Sequence, residues 1–175
     1  MTNAFAENFN IPVPTDELNQ KPSFLMPAGW YQSTLQAGAE LASNDNGWQG
    51  IRLPFAGFTS KKDGAAFDKD RRYQITIAGA DKAVEIGRKQ LVAAAAAFGL
   101  TEDAVDANGK PAKRLTAQTP EALVEQFNQV AGSPCDVYVT TKKRKRGKEI
   151  VMRDDGNGPV MDNEISAVAA FGEGK

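Results

Sequence analysis

The sequence predicts a mainly β domain with helical insertions, and three observations support this fold class. Several short segments alternate apolar with polar residues, and a period of two residues indicates strands. One central segment, 81–98, changes to the period of 3.6 residues that is typical of an amphipathic helix. The chain has 175 residues, 41% hydrophobic and 25% charged, which fits one globular domain of ordinary composition.

Three strands are predicted before the central helix. The first, 30–41, and the second, 48–58, are separated by a turn rich in Asn and Gly, and the third spans 71–77 after a charged loop at 60–70. Within 81–98, Gly87 lies near the apolar face, where a missing side chain permits close packing. Gly99 is expected to end this helix because glycine readily adopts the left-handed conformation found there.

The second half of the chain is predicted to return to strands. A polar connection at 101–118 leads to a short helix with Thr119 as N-cap, Pro120 in its first turn and Gly132 after its end. A fourth strand, 135–141, and a fifth, 148–153, follow, and 160–171 adds either a last strand or a helical tail.

The predicted order, β-β-β-α-(α)-β-β, resembles that of an OB-fold, a five-stranded Greek-key barrel. Such barrels bind oligonucleotides on the face of strands 2 and 3, with help from the loops between strands 1–2 and 4–5. We therefore divide the chain into a flexible N-terminal arm at 1–24, a single OB-like domain at 25–171 and a tail at 172–175.

The predicted loop between strands 4 and 5 is strongly basic. The net charge of the chain is −1, and without the six positive charges of this segment it would be −7. A localised basic surface on an acidic body is typical of nucleic-acid contact, although charged loops also serve solubility and block edge-to-edge strand pairing. The segment contains Lys142, Lys143, Arg144, Lys145, Arg146 and Lys148.

Two aromatic and two arginine side chains are further candidates for DNA contact. Trp48 and Tyr138 have the strand parity of outward residues, and outward aromatic rings can stack on bases. Trp48 could equally be a core residue at the end of a hairpin. Arg52 and Arg72 lie on strands 2 and 3, where they could track phosphates or be ordinary surface residues.

The composition argues against most catalytic sites. The chain has no histidine and one cysteine, Cys135, which excludes zinc sites built on His and Cys, His-dependent triads and an intrachain disulfide. The acidic run Asp154-Asp155-Gly156 is typical of a turn, and no phosphate-binding glycine loop is present. We therefore predict a protein that is not an enzyme, with no catalytic residue, no metal and no cofactor.

Two segments resemble a family of phage-encoded proteins from replication and recombination modules. One is Met26-Pro27-Ala28-Gly29-Trp30-Tyr31, and the other is the helix from Ala83 to Gly99. The resemblance implies a phage single-stranded DNA-binding protein with an OB-type barrel, located in the host cytoplasm. It also implies phage replication or recombination proteins as partners. Little sequence specificity is expected, because stacking and backbone contacts carry little base information.

An alternative function is that of a protein-interaction adaptor in a recombination module, or an inhibitor of a host protein. The apolar residues Phe5 and Phe9 of the N-terminal arm would serve such contacts. Residues 1–10 lack the basic and apolar regions of a secretory signal, and no apolar run is long enough for a membrane span. The sequence therefore predicts a cytoplasmic protein with no membrane contact, and it leaves homo-oligomerisation open.

Overall fold

A computed structural model describes residues 25–154, 156 and 158–175, so the predicted N-terminal arm lies outside the described residues. Strands dominate this part of the chain, which confirms the mainly β class. In chain order the elements are β1 (Gly29–Leu35), β2 (Glu40–Ser43), β3 (Gln49–Ser60), β4 (Ala66–Ala78), α1 (Asp81–Ala97), β5 (Thr101–Val105), β6 (Pro111–Leu115), α2 (Pro120–Gln129), β7 (Pro134–Lys143), β8 (Lys145–Arg146), β9 (Glu149–Ile150) and β10 (Met161–Ala170).

One six-stranded antiparallel sheet forms the body of the protein. Its order is β10-β7-β1-β3-β2, and β4 pairs with the other edge of β3. On one edge of the long strand β3, β2 pairs with its first half and β1 with its second half. On the other edge, β4 pairs with both halves. Two small hairpins, β5–β6 and β8–β9, stand outside this sheet.

The sheet curls so that its outer strands β4 and β10 approach each other. The Tyr73 hydroxyl of β4 donates a hydrogen bond to the Ser166 carbonyl of β10 at 3.2 Å. No β-ladder joins these two strands in the described part of the chain, so the sheet is not a closed barrel.

The core lies inside the curled sheet and beneath the two helices. Phe55 of β3 and Tyr73 of β4 are 0% and 2% exposed. Helix α1 covers the end of β4 with Leu91, Ala94 and Ala95, and it matches the predicted helix except at its last residue. No helix within the described ranges combines the length and the apolar character needed to cross a membrane.

The single first strand predicted at 30–41 is wrong, because the chain breaks between β1 and β2. At Gly38 the φ angle is +108°, which favours glycine. The Asn128 side chain of α2 satisfies the backbone there, accepting from the amides of Gly38 and Ala39 at 3.0 and 2.9 Å and donating to the Ala39 carbonyl at 3.1 Å. A side chain of α2 thus makes the hydrogen bonds that a neighbouring strand would have made to a continuous strand.

Two predicted loops contain strands. The charged loop expected at 60–70 is a short turn, because β4 begins at Ala66 and pairs with the end of β3. The polar connection at 101–118 contains the β5–β6 hairpin, whose turn is held by the Asp106 carboxylate accepting from the amides of Asn108 and Lys110. Cross-strand ion pairs, Asp103–Lys113 and Glu102–Arg114, line this hairpin.

The fifth strand predicted at 148–153 is also wrong. Only Glu149–Ile150 is a strand there, in the small hairpin with Lys145–Arg146. The strand that completes the sheet beside β7 is β10, within the segment 160–171 that the sequence left as strand or helical tail.

Candidate functional site

The predicted basic segment forms an exposed projection, residues 142–150, which we call the basic arm. Its first two residues end β7, and the hairpin β8–β9 turns at Gly147, where φ is +65°. Hydrogen bonds from the Arg144 amide to the Val160 carbonyl and from the Val151 amide to the Arg144 carbonyl, both 2.8 Å, hold its base. Every residue of the arm is exposed.

Two of the six arm cations are paired with carboxylates of β10. Lys142 lies 3.2 Å from Glu164, and Arg144 donates to both oxygens of Asp162 at 3.0 and 2.7 Å. The Arg144 guanidinium lowers the pKa of the Asp162 carboxyl through these hydrogen bonds. These exposed pairs fix the base of the arm but contribute little to stability.

The other four cations are Lys143, Lys145, Arg146 and Lys148. They form no ion pair with any residue that the structure describes, and their side chains are exposed. A cation without an internal carboxylate partner is available to an external anion. The arm therefore presents four positive charges to a ligand.

An aromatic pair lies on the outer face of the sheet, and one of its members is on β7, the strand that leads into the arm. Trp30 of β1 and Tyr138 of β7 are register partners, with ring centroids 5.4 Å apart at an interplanar angle of 74°. Their neighbours Tyr31 and Val137 point into the core. Trp30 is not among the sequence-predicted contacts, although its alternation with the buried Tyr31 is a signal that identifies it as outward.

Trp48 lies at the other end of β3. The pairing of Gln49 with Ala78 places it opposite the end of β4, whereas β1 and the arm lie towards Ser60. A strand of 12 residues is about 40 Å long. The Trp48 indole N–H donates to the Thr76 hydroxyl at 3.0 Å, and its ring packs over Gly50. The structure does not bring Trp48 together with the basic arm.

Arg52 and Arg72 share the outer face of β2, β3 and β4. Both approach one carboxylate oxygen of Glu40, at 3.8 and 2.9 Å, and Arg52 also donates to the Gln74 side chain at 3.0 Å. The structure brings these two arginines together, as predicted for neighbouring strands. Glu40 neutralises part of their charge, so they are weaker anion contacts than the arm.

A recess beside Trp30, which Lys61 and Gly174 also line, covers an ion pair that the sequence analysis missed. Asp136 of β7 is 0% exposed, and one of its oxygens, Oδ2, contacts the Lys61 ammonium and accepts from the Gly174 amide at 2.8 Å. Lys61 also donates to the Gly174 carbonyl. No spacing pattern could identify this site, because Lys61 and Asp136 are 75 residues apart.

No protein-family model matches the chain, and no curated protein matches it significantly. The resemblance of Met26–Tyr31 and Ala83–Gly99 to a phage family therefore stays a prediction. The function has to be argued from the basic arm, the aromatic pair and the recess.

Proposed function

We propose that this protein binds single-stranded DNA without catalysing a reaction. One observation carries the proposal: an outward aromatic pair lies on the strand that leads into an arm with four cations for which the described residues provide no carboxylate partner. The cations of the arm would hold phosphates, and the rings of Trp30 and Tyr138 would stack on bases. Base stacking requires unpaired nucleotides, so single strands are favoured over duplex DNA.

We further infer that the sheet is an open relative of the OB barrel. Strands β4-β3-β1-β7-β10 follow the order in which five OB strands surround the core, and OB barrels are often only partly closed. In this interpretation β2 is a short continuation of the first strand. The basic arm then lies in the loop between strands 4 and 5, which contacts nucleic acid in OB-folds.

The proposed role is to protect or organise single strands during phage replication or recombination. Phosphate and stacking contacts are made with every sequence, which suits a protein that must cover whatever strand is exposed. The sequence resemblance of the first strand and the central helix supports the phage context.

Changing either ring of the aromatic pair should weaken binding without changing its salt dependence. We expect Trp30→Leu or Tyr138→Leu to lower affinity by roughly 1–3 kcal/mol, because stacking is lost and no counterion is involved. Fluorescence anisotropy with labelled single-stranded and duplex DNA at several salt concentrations measures both quantities. Trp48→Leu is the matched control at the far end of β3 and should leave the affinity for a short oligonucleotide within about twofold.

Releasing Arg144 from its carboxylate should strengthen binding. Asp162→Asn removes the charge that now engages Arg144, so a fifth cation becomes available and the slope of log K against log[salt] should steepen by about 0.7. The pKa of Asp162 is lowered, so in the unmodified protein this pair persists into acid solution. Asp103→Asn, which breaks a comparable pair on the β5–β6 hairpin, is the control. An unchanged slope in Asp162→Asn would exclude Arg144 as a phosphate contact.

The alternative, a protein-interaction adaptor, is favoured by an apolar groove of about 280 Å³ at the start of α2. Residues of β3, β4, α1 and α2 line it, including Ile51, Leu91 and Leu123. Phe5 and Phe9, which the sequence analysis connected with this function, lie outside the described residues. Binding to an apolar groove would survive high salt, whereas phosphate contacts would not.

A further inference from the structure

The recess beside Trp30 contains a carboxylate that is only half paired. Among the residues that the structure describes, Asp136 Oδ1 has no hydrogen-bond partner, although the side chain is fully buried. Its other oxygen, Oδ2, receives both the Lys61 ammonium and the Gly174 amide. An unpaired buried carboxylate oxygen is costly, so a ligand that satisfies it gains affinity.

Gly174 shows what kind of group the recess accepts. Its N–H donates to Asp136, its carbonyl accepts from Lys61, and its backbone lies against the Trp30 ring. An added Cβ would lie 2.8 Å from Trp30 Cδ2 and 2.8 Å from Asp136 Cβ, so Gly174 fills the space between the ring and the carboxylate. The recess thus accepts a group that presents an N–H donor to Asp136 and a carbonyl acceptor to Lys61.

Guanine is the nucleobase that matches this pattern and also supplies the missing donor. Its Watson–Crick edge presents two adjacent N–H donors, N1–H and the N2 amino group, next to the O6 acceptor. In the subsite the two donors would face the two oxygens of Asp136, and O6 would accept from the Lys61 ammonium. Adenine, cytosine and thymine each lack a second adjacent donor on that edge and would leave one carboxylate oxygen unpaired.

We propose that Trp30, Lys61 and Asp136 form a guanine subsite, which residues 172–175 occupy when nucleic acid is absent. This inference rests on the proposed function, because the subsite adjoins Tyr138 and the basic arm along the proposed DNA path. The Gly174 backbone offers Asp136 one N–H, whereas guanine offers two. Guanine can therefore displace this segment, and the protein would prefer one base at one position of an otherwise unselective interface.

The test uses the full chain and four labelled single-stranded DNA nonamers. All have thymine at the eight outer positions, and the central base is thymine, guanine, adenine or cytosine. We expect the guanine oligonucleotide to bind about tenfold more tightly than the other three, because its second N–H adds a hydrogen bond to a charged acceptor. Equal affinity for all four would overturn the subsite alone. If the unmodified protein binds none of them, the proposed function itself fails.

Three variants connect the preference to the recess. Asp136→Asn replaces one acceptor with a donor and should bring the guanine-to-thymine affinity ratio close to one. Gly174→Ala loosens the segment that covers Trp30 and should increase affinity for the guanine oligonucleotide while the Lys61–Asp136 ion pair stays intact. Asp45→Asn, at an exposed carboxylate in the turn before β3 and far from the recess, is the control and should keep the ratio of the unmodified protein.

Thermal melting shows whether each variant is folded. If Asp136→Asn does not fold, the result for Gly174→Ala decides the question. A guanine preference that persists in folded Asp136→Asn, or an affinity that falls in folded Gly174→Ala, would overturn the assignment.

Discussion

Four arm cations have no carboxylate partner among the described residues, and their replacement with alanine is expected to remove nearly all salt dependence of DNA binding. Each phosphate neutralised on a single strand contributes about −0.7 to the slope of log K against log[salt], so four contacts give about −2.8. Between 50 and 200 mM salt the unmodified protein should then lose affinity roughly fiftyfold, and the variant should lose very little. The substitutions are Lys143→Ala, Lys145→Ala, Arg146→Ala and Lys148→Ala.

The control for this variant changes the same number of charges elsewhere. Lys82, Lys89, Lys110 and Lys113 lie on α1 and near the β5–β6 hairpin, and their replacement with alanine alters net charge equally. Its salt slope should match that of the unmodified protein. Both variants should remain folded, because exposed charges contribute little to stability. If the arm variant keeps the salt slope of the unmodified protein, the arm is only a solvated surface. The protein-interaction adaptor would then be the better-supported function.

Gly87→Ala is expected to destabilise the protein, although alanine is the better helix former. A Cβ at this position would lie 2.9 Å from the Thr76 carbonyl carbon and still closer to its oxygen, so α1 would have to move away from β4. Helix propensity favours alanine by about 1 kcal/mol, whereas overpacking against rigid backbone at so short a distance should cost about 3 kcal/mol, the upper end of the usual range. We expect a net loss of about 2 kcal/mol in the free energy of unfolding, measured by urea denaturation.

Ala93→Gly is the opposite exchange at an exposed position of the same helix. It should cost about 1 kcal/mol through propensity alone. Both exchanges should therefore lower stability, which propensity alone does not predict for Gly87→Ala. A more stable Gly87→Ala protein would contradict the close packing of α1 on β4.

The elements predicted best are those whose signals are local. Helix α1 follows from its apolar period, and the close approach expected at Gly87 is confirmed by its contact with the Thr76 backbone. Helix α2 begins as predicted, because the Thr119 hydroxyl accepts from the Ala122 amide at 3.1 Å and Pro120 occupies the first turn. Capping and propensity act within a few residues, so the sequence alone contains them.

The strands were predicted less well because their pairing depends on distant residues. The break between β1 and β2 is stabilised by Asn128, about 90 residues away along the chain. In β10 a bulge between Ile165 and Ala167 shifts the register, so the alternation of inward and outward residues changes partway along the strand. A simple two-residue period cannot identify such a strand.

The candidate site also has residues that local sequence signals identify and residues that only the fold brings together. The basic segment and Tyr138 could be found from charge and strand parity. The pairing of Arg144 with Asp162 could not, because it depends on β10 being the neighbour of β7. Asp136 gave no signal at all, since a charged residue between the buried Cys135 and Val137 has the parity of an ordinary surface position.

Ion pairing at the base of the basic arm means that different residues should control association with DNA and dissociation from it. Because Lys142 and Arg144 are engaged by β10, the uncompensated charge is concentrated towards the hairpin tip, away from the aromatic pair. Exposed charges of this kind accelerate encounter with an oppositely charged ligand, whereas packed contacts govern how long it stays. Losing the tip cations should chiefly slow association, and losing Trp30 or Tyr138 should chiefly shorten residence on the strand.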